Sequence, residues 1–310
     1  MIPNLWSHIV FKTIRITPLA LKNKLSKSII SKNLSCLNYS TKIAPPKIIY
    51  QKIRVFDCDM NYVEMEGNPD HVVFILPGAL SSIEQDFVPL LQNFDSKKYK
   101  VIAYDPPGYG GSRPPNRWDI KGIVAESDAN YATELLKKLG HQKYSLAGWS
   151  MGAFTAAIMA LKNPEQTRKL VVWGMGGYFD EVTSNNLKTM ASIGISCLPK
   201  ARLSQLLNIY GEEDLKKIFY KWVSQEADES VAVDFTKDGL FTKQCLNQLR
   251  IPTLIIQGAK DGFVHVDHME YLHRNINGSK THLIKNGSHA THCAPSEKEF
   301  LTVVDKFLSS

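Results

Sequence analysis

The run Gly148-Trp149-Ser150-Met151-Gly152 fits G-x-S-x-G, a spacing that can turn a serine into a nucleophile. Its setting gives the pattern meaning. The apolar run Tyr144–Ala147 precedes it, and the alanine-rich stretch Gly152–Lys162 follows it. Strand, sharp turn and helix is the context a nucleophile elbow requires. The turn strains the serine backbone, so its close neighbours must be small, and Gly148 and Gly152 meet that need. The hydroxyl then stands at a helix N-terminus, where N–H groups and the dipole favour developing negative charge.

A serine hydroxyl is a weak nucleophile at neutral pH and needs a base. Behind such an elbow the partners follow in the order serine, acid, histidine. Asp261 lies just past the apolar run Leu254–Gln257 and is the expected acid; Asp267, further on in a helical pattern, is the alternative. His289 lies in the loop after the last apolar run and is the expected base, with His292 as its rival. Acyl transfer also needs donors for the oxyanion. One is the backbone N–H of Met151. The other comes from the loop Pro77-Gly78-Ala79-Leu80-Ser81, with Ala79 as first choice and Leu80 as second.

The elements that must position these residues are legible as short apolar runs ending in turn residues. They are Val72–Leu76, Lys100–Tyr104, Tyr144–Ala147, Lys169–Trp173, Thr253–Gln257 and His282–Lys285. A hairpin over Lys47–Phe56 and Tyr62–Glu66 leads into them. Each run is continuous, as expected of strands covered on both faces. Helical patterns alternate with them at Phe87–Asn93, Ile123–Leu139, Gly152–Lys162, His265–Asn275 and Lys298–Leu308. The alternation predicts a doubly wound, mostly parallel sheet of the α/β-hydrolase fold, with ligands beyond the carboxyl ends of the strands. It breaks between about Tyr178 and Arg250, where apolar residues recur at helical spacing in Leu203–Tyr210 and Leu215–Trp222. This predicts a helical cap over residues 178–248, inserted in a core of residues 45–177 and 249–310. The cap aromatics Tyr210, Phe219, Tyr220 and Trp222 either line an apolar cleft or form the cap's own core.

The formal net charge of +7 is unevenly spread. Residues 1–56 carry ten Lys/Arg and no Asp or Glu, so residues 57–310 hold 27 basic against 30 acidic side chains, a net of −3. A mildly acidic body gives no electrostatic case for nucleic acid. The basic, acid-free segment 1–44 mixes apolar residues with Lys and reads as a mitochondrial presequence, or else as a disordered basic arm. No stretch is apolar for long enough to predict a transmembrane helix. The five cysteines make no metal-type spacing and read as idle thiols in a reducing compartment.

Several motifs resemble the biphenyl hydrolase-like proteins, also called valacyclovir hydrolases. They are Phe74-Ile75-Leu76-Pro77-Gly78-Ala79-Leu80 with Asp86-Phe87, and Asp105-Pro106-Pro107-Gly108-Tyr109-Gly110-Gly111-Ser112-Arg113-Pro114-Pro115. The elbow Gly148-Trp149-Ser150, Val172-Trp173-Gly174, Lys221-Trp222-Val223 and the Gly258–Asp261 loop agree, so the resemblance spans roughly residues 48–310. It implies hydrolysis of small esters, including α-amino acid esters, a mitochondrial location, and no metal or organic cofactor. One position departs. Where mammalian members carry an aspartate that pairs with the substrate's α-amino group, this chain has Met151. A thioether cannot form that ion pair, unless another acid such as Asp180 or Glu181 substitutes. A Gly-x-Ser-Met-Gly elbow also occurs in carbon–carbon bond hydrolases that act on ring-cleavage products.

The expected function is a serine hydrolase of small carboxylic esters, working through an acyl-enzyme. Carbon–carbon or amide hydrolysis, or acyl transfer, would use the same triad. A non-catalytic ligand-binding protein on this fold is the reading from another class.

Overall fold

The computed structural model describes residues 46–178, 181–227 and 243–310. The segment 1–44, read above as a presequence, lies outside them, as do Asp180 and the side chain of Glu181.

Period-two alternation of side chains explains how one run of apolar residues fills both sides of a sheet. In β3 (Val72–Leu76), Val72, Phe74 and Leu76 join one buried cluster, while Val73 and Ile75 join the other. The same division holds for β4 (Lys100–Tyr104), β5 (Tyr144–Trp149), β6 (Thr167–Trp173) and β7 (Thr253–Gly258). Helices α2 (Val124–Lys138) and α3 (Met151–Lys162) close the first cluster with alanine-rich faces. The short α1 (Val88–Asn93) and the C-terminal helix α7 (Glu297–Ser309) close the second. Helix α6 (Val266–Asn275) packs Met269 and Leu272 into the first cluster.

The eight strands run in the order β1-β2-β4-β3-β5-β6-β7-β8. The hairpin of β1 (Tyr50–Val55) and β2 (Cys58–Glu64) adds antiparallel to β4, and the other pairs are parallel. This is the α/β-hydrolase fold. The chain steps from β3 to β4 on one side, then crosses to β5 on the other. The carboxyl ends of β3 and β5 therefore flank a topological switch point, where ligand crevices form. In the register Leu76 faces Gly148, so the loop after β3 and the elbow after β5 leave the sheet side by side.

Two elements differ from the sequence expectation. The terminal strand β8 (Lys280–Ile284) is largely solvent-facing, because it is an edge strand with a neighbour on one side only. The helix expected from Phe87 starts earlier, as a π-helical turn at Ile83–Phe87, capped by the Ser82 hydroxyl accepting from Gln85 N–H.

The inserted segment contributes α4 (Glu181–Ile193) and α5 (Lys200–Ala227), whose two arms meet at Gly211 with φ 72°. Their apolar faces form a third buried cluster that also takes in Leu80 and Tyr109, from loops of the core. Tyr210 and Phe219 are buried in it, whereas Tyr220 is exposed and Trp222 stacks on Phe263, centroids 6.2 Å apart.

Candidate active site

Ser150 occupies φ 53°, ψ −120°, between the last residue of β5 and the first of α3. An L-residue holds this conformation only when its surroundings impose it. The surroundings are the two elbow glycines. A Cβ on Gly148 would stand 2.3 Å from the Gly152 carbonyl oxygen, and one on Gly152 would stand 2.1 Å from that of Leu76. Backbone from three segments meets in this space, so neither position admits a side chain. Ser150 N–H donates to the Trp173 carbonyl at 2.9 Å, tying the elbow to the end of β6.

Asp261 follows β7. His289 Nδ1 bonds its Oδ2 at 2.8 Å, and Gln257 Nε2 donates to the same oxygen at 2.8 Å. The N–H groups of Phe263 and Val264 donate to Oδ1 at 2.8 and 3.0 Å. The side chain is fully shielded from solvent. That burial alone would raise its pKa, but the hydrogen bond and charge of His289 and the two backbone donors outweigh it, leaving the carboxyl below its ordinary range. An ionised Asp261 fixes the imidazole tautomer with the proton on Nδ1, leaving a lone pair on Nε2. The loops that carry Asp261 and His289 are joined by Lys260 N–H donating to the Gly287 carbonyl at 2.8 Å.

Ser150 and His289 flank a common neighbour. Trp149 pairs with Trp173 across β5 and β6, so Ser150 and Gly174 follow side by side. A Cβ on Gly174 would lie 3.0 Å from His289 Cε1. The indole N–H of Trp149 donates to the His289 carbonyl at 2.9 Å. His289 keeps 24% of its side chain exposed, and Ser150 is likewise partly open, so solvent reaches both.

The two rivals sit elsewhere. His292 is buried, accepts from Trp173 Nε1 through Nδ1 at 3.0 Å, and stacks on Phe87 with centroids 5.0 Å apart. Burial pushes its pKa down to about 3, with the charge of His289 acting in the same direction, so it is neutral packing material. Asp267 accepts the Tyr178 hydroxyl at 2.7 Å on the surface.

The loop after β3 lies against the elbow, with a Cβ on Gly78 falling 3.1 Å from Ser150 Cβ. Ser81 N–H donates to the Gly78 carbonyl at 3.4 Å, closing a turn with Ala79 and Leu80 at its centre. Leu80 has φ 58°, the positive value of the third residue in a type II turn. Its backbone N–H lies near the buried Tyr109 hydroxyl and acts to lower that group's pKa, which burial raises.

Sequence reasoning missed the bracing of this loop. Asp105 Oδ1 accepts Ile83 N–H at 2.8 Å, while Oδ2 accepts Asn61 Nδ2 and Gly111 N–H at 2.7 and 2.8 Å. Asp86 accepts the Ser81 hydroxyl at 2.6 Å and both guanidinium arms of Arg202. Arg117 and Asp128 form a buried bidentate pair with both contacts at 2.7 Å, beneath the 105–112 loop. Asp86 and Asp105, both within the quoted motifs, are the signals the sequence offers for this bracing.

No helix among the described residues is long and apolar enough to cross a membrane. Among them no group of three or more His, Cys, Asp or Glu is arranged to hold a metal ion.

Fold and elbow together define a serine hydrolase of α/β-hydrolase architecture. Residues 67–297 match the family model for serine aminopeptidase, S33. The chain is 35% identical to human serine hydrolase BPHL over 257 residues, covering 83% of this chain and 85% of that protein. The chain therefore belongs to the S33 family and, within it, with the biphenyl hydrolase-like serine hydrolases. It is also 27% identical to the 2-hydroxy-6-oxononadienedioate/2-hydroxy-6-oxononatrienedioate hydrolase 2 of Pseudomonas putida, covering 75% of this chain and 86% of that one. The structure of 2-hydroxy-6-oxo-6-phenylhexa-2,4-dienoate hydrolase from Rhodococcus sp. strain RHA1 superposes with a TM-score of 0.68 at 16% identity, covering 84% and 99% of the two chains.

Proposed function

We propose that this protein hydrolyses small, uncharged carboxylic esters through a triad of Ser150, His289 and Asp261. The observation that carries the reading is the strained Ser150 at the head of α3, next in sequence to a tryptophan that bonds the His289 backbone, with His289 Nδ1 held by buried Asp261 at 2.8 Å. His289 Nε2 takes the hydroxyl proton as Ser150 Oγ attacks the ester carbonyl carbon. The oxyanion is received by the N–H groups of Ala79 and Met151. Imidazolium then protonates the leaving alcohol, and the acyl group stays on Ser150. His289 next takes a proton from a water that attacks the acyl carbon, then protonates Ser150 Oγ as the acyl–oxygen bond breaks and the carboxylic acid leaves. Asp261 stays ionised throughout and stabilises the imidazolium.

The preference for uncharged esters rests on Met151, which places a thioether beside the nucleophile where relatives of the resembled family carry an ammonium-binding aspartate. Asp86, the carboxylate beside the oxyanion turn, is already committed to Arg202 and Ser81. An unpaired ammonium in a partly dry site costs binding energy. Phe263 and Trp222 add aromatic surface next to His289, with the Phe263 and His289 centroids 5.5 Å apart. The test compares α-amino acid esters with their des-amino analogues, for the natural chain and for Met151→Asp. Preference for the neutral ester, shifting toward the amino ester in Met151→Asp, supports the reading. A natural chain that already prefers the amino ester contradicts it.

A second reading, hydrolysis of a carbon–carbon bond in a ring-cleavage product, is favoured by the Gly-Trp-Ser-Met-Gly elbow and the similarity to the Pseudomonas putida hydrolase. Including a vinylogous 1,5-diketone acid in the same panel separates the two. We also propose mitochondrial import directed by residues 1–44, on their basic, acid-free composition. Fusion of that segment to a fluorescent protein tests it, and a diffuse cytosolic signal would contradict it.

A further inference from the structure

The oxyanion turn is gripped from the cap. Arg202, near the start of α5, donates through Nη1 to Asp86 Oδ1 at 2.8 Å and through Nη2 to Asp86 Oδ2 at 3.0 Å. The same Nη2 donates to the carbonyl oxygen of Leu80 at 3.1 Å. Asp86 in turn accepts the hydroxyl of Ser81, the residue that closes the turn. One guanidinium thus fixes the last two residues of a turn whose first, Gly78, lies against Ser150.

The grip acts on a conformation that does not hold itself. Leu80 sits at φ 58°, a left-handed backbone that is costly for an L-residue. A type II turn and its type I alternative differ by a flip of the central peptide. That peptide carries the Ala79 carbonyl and the Leu80 N–H, so its flip would turn both over directly beside the Gly78–Ala79 peptide, whose N–H is the expected donor. Holding the Leu80 carbonyl and the Ser81 hydroxyl favours one of the two. A second attachment of the cap acts on the neighbouring loop, where Gly110 N–H donates to the Tyr210 hydroxyl at 3.1 Å and Arg113 Nη2 to the Ile209 carbonyl at 2.9 Å. That loop holds Asp105, which accepts Ile83 N–H just beyond the turn.

We propose that Arg202 is a positioning residue for catalysis: through Asp86 and the Leu80 carbonyl it holds the oxyanion turn in its working conformation, so that the hole is complete only while the cap is seated. This rests on the ester-hydrolase reading above. It predicts a loss in turnover rather than in substrate affinity, because the oxyanion forms only along the reaction.

The experiment is steady-state hydrolysis of a neutral ester by the full chain carrying Arg202→Gln, Arg202→Lys or Arg202→Ala, with thermal unfolding measured in parallel. Direct loss of an oxyanion donor costs about 100- to 1,000-fold in kcat, so displacing one should cost about 10- to 100-fold in Arg202→Gln. KM should move by less than about threefold. Arg202→Lys, which keeps the charge but not both arms, should fall between. Added guanidinium should raise the kcat of Arg202→Ala. Three results overturn the proposal: kcat within about twofold of the natural enzyme, a loss carried by KM alone, or guanidinium restoring stability without kcat. Should Arg202→Gln fail to fold, Arg202→Lys decides by the same kcat criterion. Ser150→Ala in the same assay separates the two claims. If it still hydrolyses the ester, the triad reading falls; if it is dead while Arg202→Gln runs at full speed, only the positioning role falls.

Discussion

The indole N–H of Trp149 donates to the backbone carbonyl of His289 at 2.9 Å, across 140 residues of sequence. The residue before Ser150 thereby holds the main chain of His289. Elbow and histidine loop are set relative to each other by a side chain that need not take part in the chemistry. Trp149→Phe keeps the ring packing against His292 but strands that carbonyl. Losing one such bond costs about 1–3 kcal/mol. We expect the unfolding midpoint to drop by a few degrees and kcat/KM to fall roughly tenfold, as read by calorimetry and ester kinetics.

Gly174 bears on the same imidazole from β6. With φ 59° and a virtual Cβ 3.0 Å from His289 Cε1, Gly174→Ala combines backbone strain with a push on the His289 ring. Activity should fall by more than tenfold while the protein still folds. Gly152→Ala is expected to be worse for folding, since its Cβ would meet the Leu76 carbonyl at 2.1 Å. Soluble yield and circular dichroism distinguish the two.

The buried His292 should govern acid stability. His292 has its pKa lowered by burial to about 3, against an ordinary value near 6.5. Between those values the unfolded chain binds a proton that the folded chain refuses, so stability rises with pH across that window and is lost as pH falls below about 6.5. Asp261, held below its ordinary range, adds a further loss only near and below about pH 4. His292→Gln keeps an acceptor for Trp173 Nε1 and should flatten the upper part of the curve. Unfolding midpoints measured from pH 7.5 to pH 4.5 check this.

The Arg117–Asp128 pair should matter for stability and not for chemistry. Both side chains are almost completely buried, and Arg117 also donates to the Pro107 carbonyl at 2.8 Å and stacks 4.2 Å over the Tyr109 ring. Removing one partner of a buried pair costs about 3–5 kcal/mol, because the other charge is left unpaired. Asp128→Ala should show that loss in urea unfolding, with kcat per folded molecule close to that of the natural enzyme.

These cases mark where the sequence stops being readable. Apolar runs such as Val72–Leu76 identify strands because alternate residues must fill both sides of one sheet, and β3 does so. The elbow is legible because strand, glycine, serine, glycine and helix are contiguous in the chain. The hydrogen bond between Asp261 and His289 was approachable from the sequence because fold order ranks the candidates. The ties between Trp149 and His289, Arg202 and Asp86, and Asn61 and Asp105 are not contiguous. Each joins polar groups at least 44 residues apart. No local pattern distinguishes such a residue from any other surface arginine or buried asparagine. The early start of the helix at Ile83 was hidden for a related reason, since Ile83 N–H is satisfied by Asp105 from another strand end.

The most direct measurement is intact-mass analysis with peptide mapping after the full chain meets a fluorophosphonate or a slowly deacylating aryl ester. The expected result is a single stoichiometric adduct on Ser150, absent from Ser150→Ala and formed much more slowly in His289→Ala. An adduct at another residue, or undiminished ester hydrolysis by Ser150→Ala, would contradict Ser150 as the nucleophile.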